Sequence, residues 1–258
     1  MVTIDREACI NCGSCTWACP TAFLVPGDET PVIDRARGCT KCMHCIAACA
    51  QKAVYFEEIP REDTYQPTPE EGQLERIVKL RRSVRRYRRE TPDQETVKWA
   101  LDAARWAPSS KNRQPTHWSV LWGAGKVEQV MTLLDQCADA GNEFAAEMTE
   151  MLKTHSRNPI TCGAPGAIIA YCKDTGADGR IDCAIATTTL ELLLVGRGVA
   201  TCWGGYLASV LQKCPAIKAY AGIPEDCTAY TVLLVGNADR EVYPNVAYRK
   251  RADVQWLE

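Results

Sequence analysis

From Gln94 onward the apolar residues recur at helical spacing. Gln94 to Trp106 puts Val97, Ala100, Leu101 and Ala104 on one face, with Thr91 expected as its cap and Pro92 just inside its start. Val127 to Ala138 repeats the pattern with Val130, Met131, Leu134 and Cys137, and Asn142 to Lys153 with Phe144, Ala145, Met148, Met151 and Leu152. Ile181 to Val195 is apolar nearly all round, which predicts a core helix. Trp118 to Trp122, Ala167 to Tyr171 and Tyr230 to Val235 read as strands. Short strands among long helices predict an α+β domain built on one sheet.

The first fifty residues follow a different rule, a repeat. Ile4-Asp5-Arg6 returns as Ile33-Asp34-Arg35, and Ala22-Phe23 is matched by Ala53-Val54-Tyr55. Each half predicts a strand, a loop, a short helix and a return strand. From Glu57 to Gly72 the chain is acidic and carries Pro60, Pro67 and Pro69, a composition that favours extended, solvated backbone. The expected organisation is therefore a domain over 1–60, a linker over 61–72 and a domain over 73–258.

Composition narrows the function. The 258 residues carry a net charge of −2, with 24% charged, so neither nucleic acid nor an acidic substrate is expected as partner. Asp5, Arg6 and Glu7 rule out the apolar stretch of a signal peptide, and no run reaches the roughly 18 apolar residues of a membrane span. A soluble, cytoplasmic protein is expected.

Fifteen cysteines change the picture, because eight obey one spacing. Cys9, Cys12, Cys15 and Cys19 form C-x2-C-x2-C-x3-C, and Cys39, Cys42, Cys45 and Cys49 repeat it thirty residues on. A zinc site pairs two short turns at a distance and has no need of this density. The runs resemble those of bacterial two-cluster ferredoxins, down to Pro20 after the first; Ala50 follows the second. In that pattern the fourth cysteine of each run ligates the other [4Fe–4S] cluster. One cluster would use Cys9, Cys12, Cys15 and Cys49, the other Cys39, Cys42, Cys45 and Cys19. The remaining seven cysteines lie singly and read as reduced, buried small hydrophobes.

Three later segments carry chemistry. Leu80 to Tyr87 lies in a stretch with eight basic residues between Arg76 and Arg89. A nucleic-acid patch and a solvated helix end are its rival readings, but Ser83 among arginines suits one phosphate monoester. Ala107 to Trp118 is a polar loop bracketed by Pro108 and Pro115. Gly198 to Tyr206 holds the pair Gly204-Gly205, where backbone can lie flat against a ligand. No G-x-G-x-x-G and no phosphate loop occurs.

Together, in this order and spacing, the segments resemble the nitroreductase family of FMN enzymes, over about 73–257. The resemblance implies an α+β homodimer with FMN at the subunit interface. It implies that Arg81, Arg82, Ser83 and Arg85 hold the phosphate and ribityl chain, with Arg249 and Lys250 closing on the phosphate. It also implies that Pro108, Ser109, Ser110 and Asn112 pack on the isoalloxazine ring from the partner, and that backbone at Gly204 and Gly205 approaches its N5 and pyrimidine edge. One departure stands out: the family often has an aromatic directly after Q-P, where this chain has Thr116.

The expected activity is an FMN oxidoreductase fed through two [4Fe–4S] clusters, passing hydride to a small organic acceptor such as a nitroaromatic, quinone or activated alkene. An external donor, for instance a reduced ferredoxin, is the expected electron source. The alternative is an electron-carrying or redox-sensing flavoprotein that serves a protein partner. No side chain is singled out as proton donor; Tyr206 reads as core packing. His44 is expected to face solvent beside its cluster loop, and His155 to cap a helix end. The excursion from Gln136 to Gly166 is expected to set acceptor preference, with Met148 and Met151 as core residues.

Overall fold

The computed structural model describes residues 2–60, 65–66, 72–173, 178–240, 243 and 245–257. The chain divides into two compact units, one of residues 1–80 with 240–258, the other of 81–239. The boundary thus falls after Leu80 rather than at 72/73, and the last nineteen residues group with the cysteine-rich N-terminus. Of the expected linker, 61–64 and 67–71 lie outside the described residues.

In the first unit β1 (Val2–Ile4) pairs antiparallel with β4 (Val54–Phe56), and β2 (Leu24–Val25) with β3 (Val32–Ile33). Each pair joins a strand of one half to a strand of the other. Two short helices, α1 (Ser14–Ala18) and α2 (His44–Ala47), follow the cysteine loops. Leu24, Ile46 and Phe56 are fully buried between them. The repeat extends to the backbone. Left-handed φ angles at Asn11, Gly13 and Ala22 return thirty residues later at Lys41, Met43 and Lys52. Only the glycine adopts such a conformation at no steric cost, so the loop shape is held against local preference by its surroundings.

The C-terminal segment completes this unit. Strand β10 (Val246–Ala247) pairs with β5 (Tyr65–Gln66), and Ala247 enters the core beside Ile46. Asn245 Nδ2 donates to the Cys49 carbonyl at 3.1 Å, Tyr243 packs edge-on against His44, and the Arg240 guanidinium lies 4.6 Å over the Trp17 ring. His44 is therefore buried, contrary to its expected solvent-facing role. Helix α3 (Gln73–Leu80) ends the unit's first stretch.

The second unit is a four-stranded antiparallel sheet between two layers of helices. Its order is β6 (His117–Trp122), β7 (Gly166–Lys173), β9 (Cys227–Gly236), β8 (Ala200–Trp203). The period of two decides which residue meets which layer. Ile168, Leu233 and Val235 face α4 (Gln94–Ala104) and α7 (Gly179–Gly196). Ala167, Ile169, Val232 and Leu234 face α5 (Ala124–Asp139), α8 (Gly205–Lys213) and α9 (Pro215–Tyr220), with Met148, Met151 and Leu152 of α6 (Glu143–Thr154) packed outside.

The predicted helices and strands are present, with corrections. Asp93, not Thr91, caps α4, its carboxylate accepting from Thr96 N at 2.8 Å, so Pro92 sits before the helix. The segment Gly198 to Tyr206, for which no strand was expected, contains strand β8, which pairs with β9 from Ala200↔Gly236 to Trp203↔Leu233. His155 does end α6, its Nδ1 2.8 Å from the Met151 carbonyl. No described helix is long and apolar enough to cross a membrane.

Candidate cluster and cofactor sites

The left-handed turns wrap the cysteine loops around two small cavities. Cys9, Cys12, Cys15 and Cys49 line one; Cys19, Cys39, Cys42 and Cys45 line the other. These are the crossed sets of the ferredoxin pattern, each with three sulfurs from one run and one from the other. Among the described residues no three His, Cys, Asp or Glu side chains meet closely enough to share a single ion. The thiols surround voids instead, as a four-iron cubane requires. The donor set and the spaces fit the clusters.

The electrostatics explain why a cluster belongs there. Burial pushes the Cys15 thiol up to about 12 and that of Cys45 well above its usual range. Bare thiolates at those positions would be costly, and bound iron supplies the compensating positive charge. Cys12, at the exposed rim, is held lower by hydrogen bonds from the Ser14 side chain and backbone; its Sγ is 3.5 Å from Ser14 Oγ. Ala53 N donates to Cys49 Sγ at 3.2 Å.

In the second unit the basic segment runs along the free edge of β8. Ser83 bridges Thr201 in parallel, and Val84 N donates to the Thr201 carbonyl at 2.8 Å. Arg81, Ser83 and Arg85 are half-buried, whereas Arg82 is buried with Nη1 on the Arg81 carbonyl at 2.7 Å. The same strand leads into Gly204 and Gly205 at the start of α8. A Cβ built on Gly205 would meet nothing within 4 Å, so space is open beside that backbone. The structure thus brings the arginine-serine segment and the glycine pair to one sheet edge, and their cations, hydroxyl and open glycine backbone fit a flavin phosphate and ring.

Glu191 ties these two segments together, a role the sequence reading missed. It is 3% exposed on α7, with Oε1 accepting from Arg81 at 3.3 Å and Thr201 Oγ1 at 3.1 Å, and Oε2 from Trp203 Nε1 at 3.0 Å. Its signal was a carboxylate amid the apolar run Leu190–Val195 of that helix. Cys202, beside Ser83, is likewise tuned. A hydrogen bond from Cys162, the Arg85 charge and a hydrogen bond from Ser83 outweigh burial and bring its thiol down to about 7. Cys162 is pushed up in the exchange. These two cysteines, single in sequence, are neighbours in the fold.

The loop of Pro108, Ser109, Ser110 and Asn112 lies at another part of the unit. Lys111, Asn112 and Gln114 all have left-handed φ, at 55°, 52° and 49°. Two bonds hold this shape: Gln114 N donates to Ser109 Oγ at 2.9 Å, and Ser110 N to Asp182 Oδ1 at 3.0 Å. Pro108, Ser110 and Asn112 are exposed and Ser109 half-buried, so the loop presents itself outward. Tyr206 is 45% exposed, which corrects its reading as core packing. Arg249 and Lys250 are exposed and belong to the first unit.

Comparison with known proteins covers both units. Residues 78–236, more than half the chain, match the model of the nitroreductase family, and residues 1–50 match that of the 4Fe–4S dicluster domain. The nitroreductase NfnB of Mycolicibacterium smegmatis is 27% identical over 161 residues, covering 50% of this chain and 68% of that one. A ferredoxin of Methanothermococcus thermolithotrophicus is 37% identical over 60 residues, 22% of this chain and 98% of its own. The fold of a Bacteroides fragilis nitroreductase, solved with bound FMN, superposes with a TM-score of 0.60 at 22% identity, covering 72% of this chain and all of that one. The chain belongs to the nitroreductase family of oxidoreductases and carries ahead of that fold a ferredoxin-type 4Fe–4S dicluster domain.

Proposed function

We propose that this chain is an FMN-dependent oxidoreductase that takes electrons through its two [4Fe–4S] clusters and reduces a small organic acceptor, a nitroaromatic, quinone or activated alkene. The observation that carries the reading is the occurrence, in one chain with a nitroreductase fold, of two cavities each lined by four crossed cysteines. Bound FMN would supply the exchange between single electrons and a hydride given up at N5. Arg81, Ser83 and Arg85 would hold its phosphate and ribityl chain by charge-assisted hydrogen bonds, with buried Arg82 fixing the segment. Arg249 is the proposed cation closing on the phosphate from the C-terminal side. Gly205 would let the ring lie on backbone, since a Cβ there would meet nothing within 4 Å. Gly204, whose Cβ would press on Val232 and Leu234, lets that backbone sit close on the sheet beside the ring. The outward loop of Pro108, Ser109, Ser110 and Asn112 would cover the ring of a second copy's flavin, which makes a homodimer the working unit.

The test is anaerobic purification with iron, sulfide and flavin counted per chain, then reduction by either NAD(P)H or a reduced ferredoxin. The reading expects about eight irons and one FMN, with flavin reduced by ferredoxin in the full chain but not after Cys9→Ala/Cys39→Ala. Flavin reduced by NAD(P)H at a rate that ignores those substitutions would overturn the direction of flow. Reduced protein that turns over no acceptor faster than free reduced FMN would make it an electron carrier instead.

A further inference from the structure

Two clusters built on one repeat start as twins, and much of what sets a cluster's potential cancels between them. That potential follows net charge, hydrogen bonds to the sulfurs and solvent exposure. Exposure cancels. Each crossed set has one exposed cysteine (Cys12, Cys39), one half-buried (Cys9, Cys42) and two buried (Cys15 and Cys49, Cys45 and Cys19). The carboxylates ahead of the loops cancel too. Asp5 accepts from Glu7 N at 3.1 Å, and its counterpart Asp34 accepts from Ala36 N at 3.0 Å.

Two features do not repeat. A shift of thirty residues places His44 opposite Ser14. Ser14 Oγ lies 3.5 Å from Cys12 Sγ, whereas His44 packs its ring edge-on to Tyr243. An iron-bound thiolate has no proton to give, so the Ser14 hydroxyl is the donor. The second feature is Arg240. Its guanidinium lies 4.6 Å over the ring of Trp17, two residues after Cys15 on α1, and its charge acts on Cys12 after the stronger Ser14 bonds. By the other set, Lys41 follows Cys39 by two residues but is paired with Glu58 at 2.6 Å, which offsets its charge. The fourth cysteines differ in the same direction. Ala53 N reaches Cys49 Sγ at 3.2 Å, while Cys19 Sγ and Thr21 Oγ1 are 3.8 Å apart.

We propose that Ser14 and Arg240 raise the reduction potential of the cluster held by Cys9, Cys12, Cys15 and Cys49 above that of its twin, so that the first electron entering the pair rests there. A reduced cluster carries one more negative charge, shared with its thiolate sulfurs. A donated hydrogen bond or a nearby cation therefore stabilises the reduced form more than the oxidised one. The proposal rests on the two-cluster reading and deepens it, by giving the pair an order. It also gives the C-terminal segment, through Arg240, a part in electron storage.

Anaerobic potentiometric titration of the full holoprotein, followed by electron paramagnetic resonance and with iron counted, tests it. Two one-electron steps are expected. Ser14→Ala and Arg240→Gln should each keep about eight irons and lower the upper midpoint, leaving the lower one in place. At the parent's upper midpoint, the ratio of reduced to oxidised cluster should fall roughly threefold in Ser14→Ala. Ser14→Thr keeps the hydroxyl and Arg240→Lys the charge, so both should restore the parent potential. An upper midpoint unchanged in either variant, or a fall in the lower step, would overturn the proposal and leave the two clusters standing. A parent protein that lacks its roughly eight irons would instead overturn the two-cluster reading beneath it.

Discussion

Removing the Glu191 carboxylate should damage the second unit more than any single change on its surface. Glu191→Ala strands three donors at once: Arg81 Nη1, Thr201 Oγ1 and Trp203 Nε1. Hydrogen bonds to a charged group contribute about 1.5–3 kcal/mol each, so their simple sum would exceed 4 kcal/mol. Water can re-solvate part of that loss, because the Arg81 side chain is 29% exposed and Trp203 37%, whereas Thr201 is sealed at 0%. A net destabilisation of about 3–5 kcal/mol follows, the range for breaking a buried charged pair. At roughly 2–4 °C per kcal/mol for a domain of this size, Tm should drop by about 10 °C. Glu191→Gln preserves shape and one acceptor, and should cost only about 1–2 kcal/mol. Differential scanning calorimetry with circular dichroism reads both variants, and flavin retained after gel filtration reports on the linked segments. An Ala variant within 1 kcal/mol of the parent would refute the reasoning, since the network would then be held by its other contacts.

The crossed cysteine sets make a pairwise prediction. Cys9→Ala/Cys49→Ala should lose about four irons, whereas Cys9→Ala/Cys19→Ala should lose about eight, although each removes two thiols. Iron analysis with electron paramagnetic resonance of the reduced protein distinguishes the two. The Cys202 thiol, brought down to about 7 from its usual 9, should make stability depend on pH. Its folded value is depressed, so its stabilisation is present above the unfolded value near 9 and is lost as pH falls through 7. Urea unfolding at pH 6 and 9 should differ in that sense, with the higher midpoint at pH 9, and Cys202→Ser should abolish the difference. Gly236→Ala would bring a methyl to 2.6 Å from Tyr87 Cδ1 and 2.7 Å from Pro165 Cδ, both held by the packed sheet end. A loss of about 1–3 kcal/mol in chemical denaturation is expected, and an unchanged midpoint would show that this end is loosely packed.

How far the sequence could be read depended on whether each signal was local. The cysteine spacing is local, and in the structure each cavity is lined by three cysteines of one run and the fourth of the other. Helices α4, α5 and α6 were legible because each carries a regular apolar face, and α7 because it is apolar nearly all round. Strand β8 was not, since Gly198 and Gly204 bracket only four paired residues and its partner β9 lies some thirty positions away. Helix α8 has Gly204 at its N-cap and no side-chain cap hydrogen bond, so nothing announced its start. Glu191 was visible as a charge in an apolar run, but its three partners come from distant segments. Burial of His44 depends on Tyr243, two hundred residues later, and no window of sequence contains both.

Grouping of residues 240–258 with the N-terminal unit has a consequence for biosynthesis. The cysteine motifs leave the ribosome about two hundred residues before Arg240, Tyr243 and Asn245, which cover Trp17 and His44 and bond the Cys49 carbonyl. The iron-binding part therefore cannot reach its finished packing until residues 240–247 have been made. The flavin-type fold is in effect inserted into it, and can complete its own sheet, ending with β9, before the ends meet. A nascent chain would pass through an interval in which the cluster loops exist without their cover, open to whatever delivers iron and sulfide. Arrival of residues 240–247 then acts as the closing event, so substitutions there should show their damage in the N-terminal cysteine loops.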